Sequence, residues 1–184
     1  MRNFGLIGQT LSHSFSKDYF NKKFETENID AFYSNFELDN ISSLRSLFSD
    51  FKLSGLNITI PFKEKVISQL DSLDDISQDL GAVNTIKPFF KNNQLISLKG
   101  YNTDVHGFKQ MVKPYLESHH TQALILGTGG ASKAVAYVLK SYNINVNFIS
   151  RNKNYSNKNY FTWDQVNNHM VEGHYLIINT TPLG

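Results

Sequence analysis

The stretch ALILGTGGASKAVAYVLK, residues 123–140, changes periodicity within a few residues. Ala123 to Leu126 form a continuous apolar run, the pattern of a strand buried on both faces. Gly127, Gly129 and Gly130 interrupt it, and Ala131, Ala134, Val135 and Val138 then recur at helical spacing. Strand, glycine turn and helix in that order predict a parallel α/β unit. Such glycines let the backbone approach a pyrophosphate, which rests on the amides of the helix N-terminus. Gly127, Thr128, Gly129, Gly130 and Ala131 are therefore the expected phosphate loop. Ser132 holds the third fingerprint position, where Gly or Ala is usual.

The following strand indicates which dinucleotide fits. NINVNFISRN ends in Ser150, Arg151 and Asn152, with Lys153 next. A site for NAD places an acidic residue here, about 20 residues on, to bond the ribose 2′-hydroxyl. A carboxylate would repel a 2′-phosphate, whereas a guanidinium pairs with one in bidentate fashion. NADP is the expected cofactor.

Outward from this unit, short apolar runs alternate with helical patterns. Strands are expected over 4–8, 32–38, 53–60, 83–89, 95–99, 123–126, 145–149 and 175–179. Tyr19, Phe20 and Phe24 share one helical face, as do Ile41, Leu44, Leu47 and Phe48. KNNQ, residues 91–94, reads as a hairpin turn, since asparagine tolerates positive φ. The alternation predicts an α/β fold with mostly parallel strands. A helix is expected over 105–116, and the polar ESHHTQ after it leads into a new strand. Two domains follow, 1–104 and 105–184, the second Rossmann-like. The chain stops in a loop motif after a strand, where a full second sheet needs another βαβ unit, so the second domain is expected to be incomplete.

The totals narrow the function. With 184 residues, 40% of them hydrophobic, and 14 Phe and 9 Tyr, the composition is globular. Net charge is +2, and no basic run points to nucleic acid. No cysteine is present, which excludes disulfides and thiolate metal sites. No apolar run reaches about 18 residues, so no membrane span is expected, and the N-terminus lacks a signal peptide's apolar stretch. A cytoplasmic location is expected. The six histidines show no metal-ligand spacing, and His119 and His120 sit in a polar linker.

Several short segments carry groups suited to a ligand. NITIPFK, residues 57–63, ends a strand with an amide, a hydroxyl and an ammonium. Strand carboxyl ends face the ligand crevice in open α/β sheets, so Asn57 to Lys63 are expected to line it. Pro61 suits the first turn of a helix and fixes where Lys63 points. Ser12, Ser14 and Ser16 lie between the first strand and the first helix. They are read either as helix caps, with Asp18 near the positive end, or as hydroxyls for an anion. GAVNT (81–85) and GYNTD (100–104) each set Asn-Thr near a glycine, and buried amides require partners. Asp104 is alternatively the cap of the helix starting at Val105.

SHSFS, NITIPFK, GAVNT, GYNTD, GTGGAS and NTTPLG occur in this order in shikimate dehydrogenases, and the chain closely resembles that family from Ser12 to Gly184. The resemblance implies an N-terminal substrate domain and a Rossmann-like NADP domain, separated by a cleft. It implies NADPH-dependent reduction of 3-dehydroshikimate to shikimate, in chorismate and aromatic amino-acid biosynthesis. By resemblance, Ser14 and Ser16 bind the substrate carboxylate with Thr59 close by, and Lys63 is the catalytic acid/base. Asn84 and Asp104 bond ring hydroxyls, Asp104 adjacent to Lys63. Gly127 to Ala131 hold phosphate, Ser150 to Tyr155 meet the ribose phosphate, and Asp75 matches a looser cofactor position. The expected partners are small molecules, with the protein a monomer or homodimer.

Two departures stand out. The family usually has Asn-Arg-Thr where this chain has Ser150-Arg151-Asn152. The family's C-terminal part, which brings a Gly and a Met to the nicotinamide, a Tyr and a Gln to the substrate, and a last helix to the first domain, has no counterpart before Gly184. The alternatives are a quinate/shikimate dehydrogenase using NAD, a non-catalytic metabolite binder, or an inactive shortened form. Lys63 and Asp104 favour catalysis, because hydride delivered to a carbonyl leaves an alkoxide that needs a proton donor.

Overall fold

The computed structural model describes residues 1–151, 158–181 and 183. The chain divides into two compact units, Met1–Thr103 and Asp104–Gly184. No described helix is long and apolar enough to cross a membrane.

In the first unit the elements are β1 (Arg2–Gly8), α1 (Ser16–Thr26), β2 (Ala31–Glu37), α2 (Leu44–Asp50), β3 (Leu53–Ile58), α3 (Phe62–Lys65), β4 (Ser72–Leu73), α4 (Asp75–Leu80), β5 (Thr85–Lys91) and β6 (Gln94–Tyr101). They form one sheet ordered β2-β1-β3-β5-β6-β4. β1 runs parallel to β2 and β3, while β5 is antiparallel to both β3 and β6. Side chains alternate between faces along each strand. Ile7, Leu56, Ile58, Ile86 and Leu98 thus pack beneath Leu44 and Phe48 of α2, with Phe62 and Val66. On the other side Phe20 and Phe24 of α1 cover Leu6, Leu11 and Tyr33. Tyr19, expected on that apolar face, is 46% exposed, because Phe20 and Phe24 already fill the contact.

The second unit contains α5 (Asp104–Val112), β7 (Gln122–Leu126), α6 (Gly130–Ser141), β8 (Asn145–Ser150), β9 (Tyr160–Thr162), α7 (Asn168–Glu172) and β10 (Leu176–Asn179). Its sheet is wholly parallel, ordered β10-β7-β8-β9. Ala123, Ile125, Val146 and Phe148 meet Val135, Ala136 and Leu139 of α6 in its core. Six of the eight described strand pairs are parallel, as the alternation of elements predicts.

The hairpin at KNNQ forms as expected, with Asn92 and Asn93 at φ 51° and 63°. Other limits differ. β3 stops at Ile58, two residues early: Thr59 N–H makes the last ladder bond, to the Ile7 carbonyl (2.9 Å), and the Phe62 N–H then bonds the Thr59 carbonyl (2.9 Å) as the chain turns into α3. The α-helix over 105–116 ends at Val112 and tightens into a 3-10 turn, Lys113–Tyr115, where Pro114 cannot donate an N–H.

Candidate active site

The polar ends of the first unit's sheet are bonded to one another. Leu6 of β1 stands opposite both Asn35 of β2 and Asn57 of β3. Asn57 in turn pairs with Thr85, and Thr85 with Tyr101. One row therefore crosses the sheet on the face covered by α1. Tyr33, two residues before Asn35, shares that face. Its hydroxyl donates to Asn57 Oδ1 at 2.9 Å. Asn57 Nδ2 donates to Thr85 Oγ1 at 3.1 Å and to the Asn84 carbonyl at 3.4 Å. Thr85 Oγ1 donates to Asn84 Oδ1 at 2.9 Å, and the Thr103 N–H donates to the same oxygen at 2.9 Å. Burial pushes the Tyr33 phenol well above its ordinary range, with a smaller opposing pull from the nearby Ser16 hydroxyl.

The serine loop joins β1 to α1. Neither serine caps the helix: Phe15 holds the N-cap position without a side-chain bond, and Ser16 is the first helical residue. The capping account of Ser14 and Ser16 is thereby corrected, although Asp18 does lie in the first turn. Ser14 N–H bonds the Leu11 carbonyl at 3.0 Å, and Glu37 Oε1 accepts from the Leu11 N–H at 2.6 Å. Ser14 Oγ is buried with no hydrogen-bond partner. An unsatisfied buried hydroxyl costs about 1–3 kcal/mol. A carboxylate oxygen would satisfy it.

Thr59 approaches this loop at Gly8, where a Cβ would lie 2.8 Å from Thr59 Cγ2 and 2.6 Å from Leu11 Cδ2. Any larger residue there would push the Leu11 and Thr59 side chains aside. Pro61 stands one position before the helix rather than in its first turn, at φ −99°. Buried Phe62 anchors α3, which leaves Lys63 half-buried in a helix of four residues. The Lys63 carbonyl accepts from Val83 N–H at 2.8 Å, so NITIPFK and GAVNT are tied together. Asn84 is 8% exposed. Asp75 is exposed in the first turn of α4, behind the true cap Asp74, whose Oδ1 accepts from Ser77 N–H at 2.9 Å.

The second unit ends its strands differently. Gly127 takes φ +104°, a conformation suited to glycine, and a Cβ there would meet Thr180 Oγ1 at 2.9 Å. Thr180 closes the turn by donating from N–H and hydroxyl to the Leu126 carbonyl, at 2.9 and 2.7 Å. Thr128 and Gly129 are exposed, and a Cβ on Gly129 would meet nothing within 4 Å. α6 begins at Gly130, with Ala131 exposed and Ser132 buried. Ser132 is no defect in the fingerprint: its hydroxyl donates to the Gly129 carbonyl at 2.6 Å and closes the loop from within. Arg151 is exposed directly after β8, beside half-buried Ser150. This cradle fits a pyrophosphate, with open glycine backbone at the start of a twelve-residue helix and a cation, not a carboxylate, at the next strand end. Asp104 is itself the first residue of α5, so the helix opens one position earlier than expected. Asn152 and Tyr155 lie outside the described residues.

Comparison with known proteins shows the family. Residues 6–86 match the family model described as the shikimate dehydrogenase substrate binding domain. The shikimate dehydrogenase (NADP(+)) of Methanosphaera stadtmanae is 34% identical, over 98% of this chain and 68% of its own length. The chain belongs to the shikimate dehydrogenase family. The shikimate dehydrogenase (NADP(+)) of Helicobacter hepaticus is 38% identical over 80% of this chain and 53% of its own. The crystal structure of shikimate dehydrogenase 1 from Peptoclostridium difficile superposes with a TM-score of 0.84 at 34% identity, covering all of this chain and 68% of that one. The chain thus spans between half and just over two thirds of these shikimate dehydrogenases.

Tyr33 and Glu37 were not among the residues singled out in the sequence, and Thr85, Thr103 and Thr180 stood in the GAVNT, GYNTD and NTTPLG motifs without a role of their own. The readable trace was polar side chains at inward positions of strands: Tyr33 and Asn35 both alternate with residues of the opposite face.

Proposed function

We propose that the chain carries the substrate site and the cofactor loop of an NADP-dependent shikimate dehydrogenase, which interconverts 3-dehydroshikimate and shikimate. The observation that carries this reading is the buried, unpartnered Ser14 hydroxyl, on the loop where the family binds a carboxylate. Ser14 and Ser16 donate to the substrate carboxylate, with Thr59 beside them. Asn84 and Asp104 bond ring hydroxyls. The first unit is the substrate-binding domain and the second the cofactor domain, in which Gly127 to Ala131 hold the pyrophosphate and Ser150, Arg151 and Asn152 meet the ribose phosphate. Asp75 is assigned to the cofactor only by the family pattern.

NADPH supplies the hydride when bound. The carbonyl's π electrons move onto oxygen as the carbon is reduced, and that oxygen takes a proton from the Lys63 ammonium. A lysine ammonium is charged at neutral pH and can donate; in the reverse direction the neutral amine accepts the proton.

The test is direct. The protein expressed from its whole reading frame is supplied with shikimate and either NADP or NAD, and reduced nicotinamide is followed by absorbance, with quinate in parallel. Turnover of shikimate with preference for NADP is expected. Turnover of quinate with NAD, or binding without turnover, overturns the reading.

A further inference from the structure

We infer that Thr85 is a positioning residue: its hydroxyl locks the Asn84 amide so that a ligand meets only the amide N–H. The inference rests on the reading of Asn84 as a ligand of ring oxygens.

At Thr103 hydrogen-bond direction leaves no choice. The Thr103 backbone N–H can only donate, and it donates to the Asn84 side-chain atom 2.9 Å away. That atom is therefore the amide oxygen, Oδ1. An amide oxygen only accepts, so Thr85, 2.9 Å from it, spends its single proton there. The Thr85 oxygen is then an acceptor, and the Asn57 group 3.1 Å away is a donor, Nδ2. A second fixed point agrees, because the Asn84 carbonyl can only accept and the same nitrogen faces it at 3.4 Å. Asn57 Oδ1 consequently faces Tyr33, whose hydroxyl donates to it. One backbone N–H thus sets the direction of every bond from Thr103 to Tyr33.

The consequence for Asn84 is chemical. Its Oδ1 receives Thr103 N–H, Thr85 Oγ1 and, at 3.1 Å, Thr103 Oγ1, while its Nδ2 gives one of its two protons to that same Thr103 Oγ1 at 2.9 Å. A carbonyl oxygen with two lone pairs has no capacity left for a ligand donor. The ligand group read by Asn84 must be an accepting oxygen, and a ring hydroxyl bound there must donate its own proton elsewhere. Thr85 is the member that both accepts from Asn57 and donates to Asn84. Without its hydroxyl the amide loses one of the bonds that hold its orientation, and the Asn57 nitrogen loses a partner.

The test compares Thr85→Val, which keeps the shape and removes the hydroxyl, with Thr85→Ser, which restores it. Thr85→Val is expected to raise KM for 3-dehydroshikimate about two- to tenfold, the worth of one net hydrogen bond, with kcat within about twofold. Thr85→Ser should return KM to the wild-type value. In an Asn84→Ala background the same valine should add nothing, since two residues acting through one bond are not additive. A merely structural threonine would cost as much in that background, and that result overturns the inference, as does an unchanged KM in Thr85→Val alone. Asn84→Asp decides the matter if the valine variant does not fold. It keeps an oxygen for the three donors and removes the amide N–H, so KM should rise as far as in Asn84→Ala, and retained affinity refutes the donor role. An unchanged KM in Asn84→Ala overturns the reading of Asn84 as a ligand, and the inference with it. A KM rise there without any effect of Thr85→Val overturns the inference alone.

Discussion

The two units finish their strands with different materials. In the first, the strands present side chains: those of Tyr33 on β2, Asn57 on β3, Thr85 on β5 and Asn84 just before β5 bond to each other in sequence. In the second, strand ends present backbone, with Gly127 at positive φ and Thr180 and Ser132 bonding carbonyls to close the turn. The difference follows what each is proposed to hold. A small polyhydroxy acid is distinguished by the direction of each hydrogen bond, which only side chains can vary. A pyrophosphate presents the same acceptors in every dinucleotide, and backbone amides suffice.

The contrast predicts that side-chain changes in the first unit affect chemistry and substrate, while in the second only cofactor choice responds. The largest effect is expected at Lys63. Lys63→Ala should lower kcat by about 10²–10⁴-fold, the usual contribution of one acid/base group, with little change in KM. Steady-state reduction of 3-dehydroshikimate reads this out, and a kcat within a few-fold of wild type makes Lys63 a bystander.

The paired change Ser14→Ala/Ser16→Ala comes next. Each bond to a charged group is worth about 1.5–3 kcal/mol, so KM for 3-dehydroshikimate should rise at least about tenfold. Because neither serine caps α1 and the Ser14 hydroxyl is buried without a partner, the melting temperature should hold or rise. A lower melting point with unchanged KM would return both serines to a structural role.

Arg151→Ala sharpens the comparison from the other side. KM for NADPH should rise about tenfold, as an exposed charged bond is lost, while KM for NADH stays put. Equal losses for both would mean that Arg151 supports the loop generally and does not read a 2′-phosphate.

The smallest effect concerns a residue outside both sites. Asp71 accepts from Leu98 N–H at 2.7 Å and from Arg45, and chiefly that backbone bond holds its carboxyl below the ordinary value of 3.8. A depressed folded value contributes stability above the unfolded pKa, lost as pH falls through the folded one. Asp71→Asn should therefore flatten the loss of melting temperature below about pH 4 while leaving KM untouched. With the pair about two-fifths exposed, the change is modest. An identical acid slope in the variant removes Asp71 from the account.

The second unit was the more legible in sequence, because strand, glycine turn and helix follow one another within 18 residues. Much of the first was legible too, as periodicity showed its longer strands and both apolar helix faces. The short elements β4, α4, β9 and α7 were missed, since two to six residues carry too little periodicity to register. The bonded row across the first sheet was not readable either. Asn57, Thr85 and Tyr33 are far apart in the chain and meet only through strand register, which one sequence does not specify. Ser132 shows the opposite error, where a departure from a fingerprint turned out to be the residue that closes the turn.

The turn at Asn92 and Asn93 has a practical consequence. Both residues are exposed, at the tip of a hairpin whose register shifts between Phe89 and Phe90, well along the strand from Thr85. Loop tips of this kind accept inserted sequence with least disturbance to the fold. A fluorescent tag or a surface-attachment peptide placed between them would leave the polar row bonded, and so gives a handle for immobilising the protein or following it in cells.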